Sequence, residues 1–238
     1  GKPLLEVAGK PMIQHVYESA TNSEAEQVII ATDDARIQQA AEAFGATVCM
    51  TSSEHRSGTE RLAEVIETLQ IDDADIIVNV QGDEPLMPTT CINQVAVSLA
   101  SAPQASVATL CTPIDSQHEL FDPHIVKVVR DRNNMALYFS RAPIPWHRDE
   151  FSPEPDSLPT DNTPYFRHIG LYAYRAGYIK EYINLTESDL ERAESLEQLR
   201  VLHHGEQIAC IEAFEVPGPG VDTEADLEKV VAMFDDGM

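Results

Sequence analysis

Short apolar runs alternate with amphipathic segments in the first half of the chain. The runs have the length and the β-branched content of buried strands, and they lie at 27–32, 46–50 and 75–81. Helices are expected between them, at about 34–44, 57–69 and 88–100. The middle helix starts at Ser57 and Glu60, which have capping-box spacing. This alternation predicts an α/β fold with a mostly parallel sheet and right-handed crossovers.

The second half of the chain has a different pattern, with strands closer together. Further strands are predicted at 105–114, 126–131, 136–141 and 167–174. A long helix is predicted over about 187–204, ending at Gly205, and a final helix begins at the capping-box pair Thr223 and Asp226. Residues 151–164 are rich in Pro, Asp and Ser and are predicted to form an exposed loop. We therefore predict one domain over residues 1–238, with a β-rich lobe inserted into the α/β core.

The charge of the chain limits its partners. Sixteen Lys and Arg residues against forty Asp and Glu residues give a net charge of −24. Such a surface repels nucleic-acid backbones and anionic membranes, so we expect neither as a partner. Any phosphate chemistry would need local Lys or Arg residues or a divalent cation to reverse the field.

Size, hydropathy and cysteine spacing add three expectations. A chain of 238 residues can bury a substantial core without disulfides, and no apolar run reaches the roughly eighteen residues of a membrane span. Cys49, Cys91, Cys111 and Cys210 are too far apart for a CxxC zinc motif. We predict that they are buried, reduced thiols of a cytosolic protein.

Two acidic turns are candidates for a metal site. Asp83 follows the clearest predicted strand, where ligands of parallel sheets bind, and Asp222 precedes the final helix. Magnesium is bound by hard oxygen ligands, usually one or two carboxylates together with substrate phosphates. A solvated turn at Asp83 and a helix cap at Asp222 are the alternative interpretations. Lys2, next to a glycine, is a candidate phosphate clamp or a solvated terminal charge.

Other candidate ligand-binding residues lie in the second half of the chain. His168 and Tyr172 are four residues apart in a predicted strand and share one face, with Gly170 between them. A structural histidine is the alternative. Glu197 and Gln198 lie on the predicted long helix, where they either belong to an exposed charged face or offer hydrogen-bond acceptors to a polyhydroxylated sugar.

A series of short segments resembles one known family over essentially the whole chain. The sequence is similar to the 3-deoxy-manno-octulosonate cytidylyltransferases, which are also called CMP-Kdo synthetases. The segments that carry the resemblance are GKPL at 1–4, GKPMI at 9–13, ATD at 31–33, SGTER at 57–61, NVQGDEP at 79–85, LYFSR at 137–141, RHIG at 167–170, LEQLR at 196–200 and GVDT at 220–223.

The resemblance implies a fold and a reaction. The family has a Rossmann-like nucleotide-diphospho-sugar transferase fold and works as a cytoplasmic homodimer. It transfers CMP from CTP to the anomeric hydroxyl of the acid sugar Kdo, releases pyrophosphate and supplies CMP-Kdo for lipopolysaccharide assembly. The implied cofactor is Mg²⁺, and we expect no covalent enzyme intermediate.

The resemblance also assigns roles to residues of this chain. Asp83 and Asp222 are expected to hold magnesium, and Lys2 is expected to touch the triphosphate. The nucleotide side is assigned to Ser57, Gly58, Thr59, Arg61 and Gln81. The sugar side is assigned to Arg141, His168, Tyr172, Glu197 and Gln198.

One departure from the family pattern concerns the start of the chain. The family normally has a hydrophobic strand and an arginine-bearing phosphate loop before the GKP segment, whereas this sequence begins with GKP. We expect a protein of these 238 residues alone to be unstable and nearly inactive. The alternatives to a Kdo enzyme are a cytidylyltransferase for 8-amino Kdo or a sialic acid, an inactive homologue that binds CTP or sugar, and a structural or interaction protein.

Overall fold

The structure is a computed structural model that describes residues 1–151, 158–159 and 163–235. Most of the predicted loop at 151–164 therefore lies outside the described residues. The strands are β1 (Glu6–Val7), β2 (Lys10–Pro11), β3 (Ile29–Thr32), β4 (Thr47–Met50), β5 (Ile76–Asn79), β6 (Val107–Pro113), β7 (Lys127–Arg130), β8 (Ala136–Ser140), β9 (Phe166–Arg175) and β10 (Ile208–Glu212). The helices are α1 (Met12–Thr21), α2 (Ala35–Ala43), α3 (Gly58–Thr68), α4 (Thr89–Ala100), α5 (Gln117–Phe121), α6 (Ala176–Tyr182), α7 (Asp189–Glu194), α8 (Gln198–His203) and α9 (Glu224–Asp235).

The long strand β9 organises the main sheet. The strand order of this sheet is β10-β6-β9-β7-β8, and β5 also pairs with β9. The second half of β9 lies between β5 and β6, and its first half lies between β6 and β7. Strands β5 and β6 both run antiparallel to β9, whereas β10 runs parallel to β6. Strands β3 and β4 form a separate parallel pair.

The sheet is therefore mixed, and the prediction of a mostly parallel sheet is corrected. Parallel pairing occurs between β3 and β4 and between β6 and β10, but every contact of β9 is antiparallel. Because β9 is ten residues long and touches three other strands, its direction dominates the pairing. A hydrophobic run shows where a strand lies, and it does not show the direction of the neighbours that the strand meets.

The predicted long helix over 187–204 is also wrong, because two short helices replace it. Helix α7 starts with a complete capping box between Ser188 and Glu191, and it ends at Ser195, which has left-handed backbone angles of φ 54° and ψ 51°. The backbone N–H of Leu196 donates to the carbonyl of Glu191 at 3.2 Å, and the Leu196 side chain is buried. The chain then turns and α8 begins at Gln198. We call residues 195–197 the helix break.

Several local signals of the sequence are confirmed at helix starts. The hydroxyl of Ser57 accepts a hydrogen bond from the N–H of Glu60, which caps α3. Thr223 and Asp226 bond each other reciprocally at the start of α9. Helices α1, α5 and α6 and the buried strand β10 were not predicted from the sequence, although the apolar run of β10 was available as a signal.

Helices cover both faces of the main sheet. One buried cluster lies between the sheet and α3, α6 and α8, and a second lies between the sheet and α4. All four cysteines are buried and free, as predicted. Within the described ranges, we find no helix with the length and apolar character needed to cross a membrane.

Candidate active site

Three charged side chains from distant parts of the chain meet at one point. The Lys2 Nζ atom lies 3.0 Å from Asp83 Oδ2 and 3.0 Å from Asp222 Oδ1. Partial burial disfavours the charged ammonium, but the hydrogen bonds to the two carboxylates outweigh this effect and raise the pKa of Lys2. The structure thus brings together the residues that the sequence singled out as metal ligands and phosphate clamp. We call Lys2, Asp83 and Asp222 the charged cluster.

A backbone hydrogen bond joins the two acidic turns. The N–H of Val221 donates to the carbonyl of Asp83 at 2.8 Å. A second bond, from the N–H of Glu84 to the carbonyl of Gln81 at 3.2 Å, closes the turn after β5. Because Val221 is bonded to Asp83, the next residue, Asp222, is held beside Asp83. This bond explains how two residues far apart along the chain share one site.

Glu84 adds a third carboxyl group to this region. Burial, followed by the negative charges of Asp83 and Asp222, raises the pKa of Glu84 to about 7. From the sequence, Glu84 was predicted only to be part of the acidic turn. Because the carboxylates of Asp83 and Asp222 outnumber the single Lys2 ammonium, the local field favours an additional cation.

The geometry of the charged cluster fits the implied magnesium ion. The Lys2 ammonium stands where a cation would be held between two hard carboxylate oxygens. Among the described residues, no group of three or more His, Cys, Asp or Glu side chains is arranged to hold a metal. The chain would therefore supply two carboxylates through Asp83 and Asp222, and it would leave other coordination positions for water and phosphate oxygens.

A cavity of about 200 Å³ is lined in part by the same turn after β5 that carries Asp83. Six of the predicted site residues line it, namely Gly58, Thr59, Gln81, Tyr172, Glu197 and Gln198. Its other lining residues are Asn79, Val107, Tyr174, Tyr182, Ser195, Leu196 and Val201. Since Gln81 lies two residues before Asp83, the same turn after β5 serves both the cavity and the charged cluster.

Three tyrosines form one wall of the cavity. The rings of Tyr172 and Tyr174 stack at 5.8 Å, and Tyr182 comes from α6. Burial raises the pKa of each of these phenols well above its usual value, so each stays a neutral hydroxyl at physiological pH. Tyr174 and Tyr182 were not among the site residues predicted from the sequence. For Tyr174, the available signal was its i, i+2 spacing from Tyr172 on β9, which places both side chains on one face of the strand.

The helix break presents Glu197 and Gln198 to the cavity. Glu197 Oε2 accepts a hydrogen bond from the Thr59 hydroxyl at 3.5 Å, and Gln198 is buried. Burial raises the pKa of Glu197, although the nearby Arg200 opposes this effect. The break therefore places the exposed Glu197 and the buried Gln198 side by side at the lining of the cavity.

His168 supports the tyrosine wall and is not itself a lining residue of the cavity. Its Nε2 atom lies 2.9 Å from the Thr109 hydroxyl, which also faces the carbonyls of Ile169 and Leu171. The ring contacts Tyr172 with centroids 5.3 Å apart. Burial lowers the pKa of His168 to about 3, so the imidazole is neutral at physiological pH. The predicted shared face of His168 and Tyr172 is confirmed by this ring contact.

The remaining predicted residues contact protein groups around the site. Ser57 caps α3. Arg61 forms an ion pair with Asp33 at 3.2 Å and a hydrogen bond with Thr51. The Arg141 guanidinium donates to the carbonyls of Glu194 at 2.7 Å and Pro123 at 3.1 Å. The substrate contacts expected of Ser57, Arg61 and Arg141 stay predictions.

Comparisons with known proteins decide the family. The sequence profile described as "Cytidylyltransferase" matches residues 1–208. A 3-deoxy-manno-octulosonate cytidylyltransferase of Cellvibrio japonicus is 58% identical over 238 residues, which cover 99% of this chain and 92% of the relative. The enzyme of the same name from Nitrosococcus oceani is 55% identical, with 97% of this chain and 89% of the relative covered. This chain belongs to the 3-deoxy-manno-octulosonate cytidylyltransferase family. As a cytidylyltransferase, it is a nucleotidyltransferase enzyme.

Solved structures agree with this assignment. The cytidylyltransferase chain superposes on a CMP:2-keto-3-deoxy-manno-octonic acid synthetase complexed with CTP, with a TM-score of 0.90 and 44% identity over 100% of this chain and 93% of the other. A 4-diphosphocytidyl-2C-methyl-D-erythritol synthase matches with a TM-score of 0.63 at 14% identity, over 98% of this chain and 95% of the other, and shows the fold alone. The α/β nucleotidyltransferase fold predicted from the sequence is confirmed.

Proposed function

We propose that this protein transfers CMP from CTP to the anomeric hydroxyl of Kdo and releases pyrophosphate. The observation that carries the proposal is the meeting of Lys2, Asp83 and Asp222 at a turn that also lines a cavity. Three predicted sugar-side residues line that cavity, namely Tyr172, Glu197 and Gln198, together with three predicted nucleotide-side residues, Gly58, Thr59 and Gln81. The family membership supports the choice of substrates, because the relatives bear the name of this reaction.

The nucleotide half of the reaction needs positive charge close to the phosphates. A bond forms between the sugar oxygen and the α-phosphorus of CTP, and the bond from that phosphorus to the pyrophosphate oxygen breaks. Negative charge on the phosphoryl oxygens must be stabilised as this occurs. Lys2 would bind the triphosphate, while Asp83 and Asp222 would hold magnesium. When bound, magnesium supplies charge neutralisation at the phosphates and lowers the pKa of a nearby hydroxyl.

The cavity accounts for the sugar half of the reaction. Glu197, Gln198 and the phenol groups of the wall offer hydrogen-bond donors and acceptors to a polyhydroxylated substrate. Arg141, near the helix break through its bonds to Glu194, is the residue we propose for the sugar carboxylate, since a guanidinium matches a carboxylate bidentately. His168, neutral and bonded to Thr109, orients Tyr172 rather than transferring a proton.

Pyrophosphate release tests this proposal directly. A protein that carries the family's usual strand and phosphate loop before GKP is incubated with CTP and Mg²⁺ alone, and then with Kdo, 8-amino Kdo or a sialic acid added singly and in competition. The 238 residues alone are assayed in parallel. We expect release only when an acid sugar is present, with Kdo giving the highest kcat/KM. Preferential turnover of another acid would replace the substrate while keeping the reaction. CTP binding without release for any acid would favour an inactive homologue.

Four further features are proposed from the family resemblance. We propose Mg²⁺ as the cofactor, and a chelator such as EDTA should abolish pyrophosphate release until Mg²⁺ is restored. We propose a homodimer, which light scattering of the purified protein would test. We propose a cytoplasmic location and a role in lipopolysaccharide assembly. The four free, buried cysteines are consistent with a reducing compartment.

A further inference from the structure

An ion pair spans the helix break. The Arg200 guanidinium donates two hydrogen bonds to the Glu191 carboxylate. Nε lies 2.8 Å from Oε2, and Nη2 lies 2.5 Å from Oε1. Glu191 belongs to α7 and is buried, with 4% of its surface exposed, while Arg200 belongs to α8. Since the bond is bidentate, it fixes the relative orientation of the two helices as well as their separation. We call Arg200 and Glu191 the helix-break pair.

The helix-break pair is connected to the cavity through two routes. The guanidinium of Arg200 lies over the ring of Tyr182 at 4.8 Å, and the Tyr182 hydroxyl donates to the carbonyl of Glu197 at 3.2 Å. The carbonyl of Glu191 accepts from the N–H of Leu196 at 3.2 Å. Tyr182, Leu196 and Glu197 all line the cavity, whereas neither member of the pair does.

We propose that Arg200 and Glu191 are positioning residues that hold Glu197, Gln198 and Tyr182 in the arrangement that binds the sugar. This inference rests on the proposed function, because it assigns the cavity to the acid sugar. The pair does not touch the substrate. It fixes the turn at which α7 ends and α8 begins, and that turn aims the side chains at the cavity.

The local sequence does not stabilise the helix break. Ser195 takes a left-handed conformation that is unfavourable for residues with a Cβ atom. Without Arg200, the Glu191 carboxylate would be buried without its charged partner, and it would be expected to move toward water or become protonated. Either change would release α8 from α7 and loosen the wall formed by the helix break.

The main experiment compares Arg200→Met with Arg200→Lys and with a control, Arg192→Met. Arg192 lies on α7 and pairs with Asp189 at the surface, so its loss should be nearly neutral. We expect Arg200→Met to raise the KM for Kdo about tenfold or more, while the KM for CTP changes less than about twofold. Arg200→Lys should give a smaller increase, because lysine keeps the charge and loses the bidentate geometry.

A structural role alone would give a different result. In that case the amount of folded enzyme and kcat would fall, while both KM values stayed as in the wild type. That outcome, or an equal increase of both KM values, would overturn the inference. If Arg200→Met does not fold, Arg200→Lys and Glu191→Gln carry the same comparison.

Hydrogen exchange gives a readout that does not depend on the sugar. The amides of Leu196, Leu199 and Arg200 are bonded within the segment that the pair holds. Their exchange should be about tenfold or more faster in Arg200→Met and unchanged in Arg192→Met. Unchanged exchange in both variants would overturn the positioning role. If the wild type exchanges as expected and releases no pyrophosphate with Kdo, the proposed function fails while the role of the pair in the break stands.

Discussion

The charged cluster and the tyrosine-walled cavity share the turn after β5, and they are built in opposite ways. The cluster joins loop residues from distant segments, and the side chain of Asp222 is 86% exposed. The cavity is formed by strands and helices whose tyrosines belong to the buried core. Exposed ion pairs contribute little to folding stability, whereas core packing contributes several kcal/mol per residue. Chemistry and stability are therefore expected to separate between the two regions.

Asp83→Asn should give the largest effect and should act on activity alone. We expect kcat to fall about a thousandfold or more, because one of two carboxylates expected to hold magnesium loses its charge. The free energy of unfolding should change by less than about 1 kcal/mol, since the pair with Lys2 is partly exposed. Pyrophosphate release and thermal melting measure the two quantities.

The control for this variant is Asp189→Asn, at a carboxylate whose side chain is 93% exposed on α7. It should leave both activity and stability unchanged. An Asp83→Asn enzyme with wild-type kcat would remove Asp83 from the site and end the comparison between the two regions.

Leu199→Ala should show the opposite behaviour. Leu199 is 1% exposed in the cluster behind the cavity, and its truncation should cost about 2–5 kcal/mol of unfolding free energy. The melting temperature should fall by about 2–4 °C for each kcal/mol of unfolding free energy that is lost. Leu190→Ala, at a leucine that is 45% exposed on α7, is the matched control and should melt like the wild type. Equal melting of both variants would show that packing does not hold this side of the cavity.

The contribution of His168 to the free energy of unfolding should depend on pH. Its pKa of about 3 lies below the ordinary value of about 6.5 expected in the unfolded chain. The unfolded state therefore takes up the proton first as the pH falls, so stability from this residue is complete above about pH 6.5 and declines toward pH 3 by at most about 1.4 kcal/mol per pH unit. Imidazole NMR signals of His168 should not titrate between about pH 5 and 9.

A His168→Gln variant provides the comparison for this effect. Its unfolding free energy should depend less steeply on pH below about 6.5 than that of the wild type. If the unfolding free energies of the variant and the wild type depended equally on pH, burial of His168 would not be the cause of the pH dependence.

Tyr182→Phe should give the smallest change. It removes the hydroxyl that donates to the Glu197 carbonyl, which should cost about 1 kcal/mol and raise the KM for Kdo by roughly two- to fivefold. Tyr178→Phe is the control, since the buried Tyr178 hydroxyl has no hydrogen-bond partner in the described part of the chain. Its removal should be neutral or slightly stabilising. The same KM change in both variants would argue against the bond to Glu197.

The sequence by itself determined where most secondary structure lies and which family the chain resembles. Apolar runs located β3, β4, β5 and β9 to within a few residues, and capping pairs marked the starts of α3 and α9. These signals are local, because periodicity and caps depend on residues within one or two turns. Motif order indicated that Lys2, Asp83 and Asp222 act together, which spacing along the chain could not have done.

The tertiary structure alone decided the direction of β9, the helix break and the tyrosine wall. A helical pattern runs through 187–204, yet burial of Leu196 and the bond between Arg200 and Glu191 accompany a break that no local signal marks. Tyr182 reaches the cavity only because α6 packs beside α3 and the sheet. Such features depend on contacts between residues far apart in sequence, whose free energies exceed local preferences once the core forms.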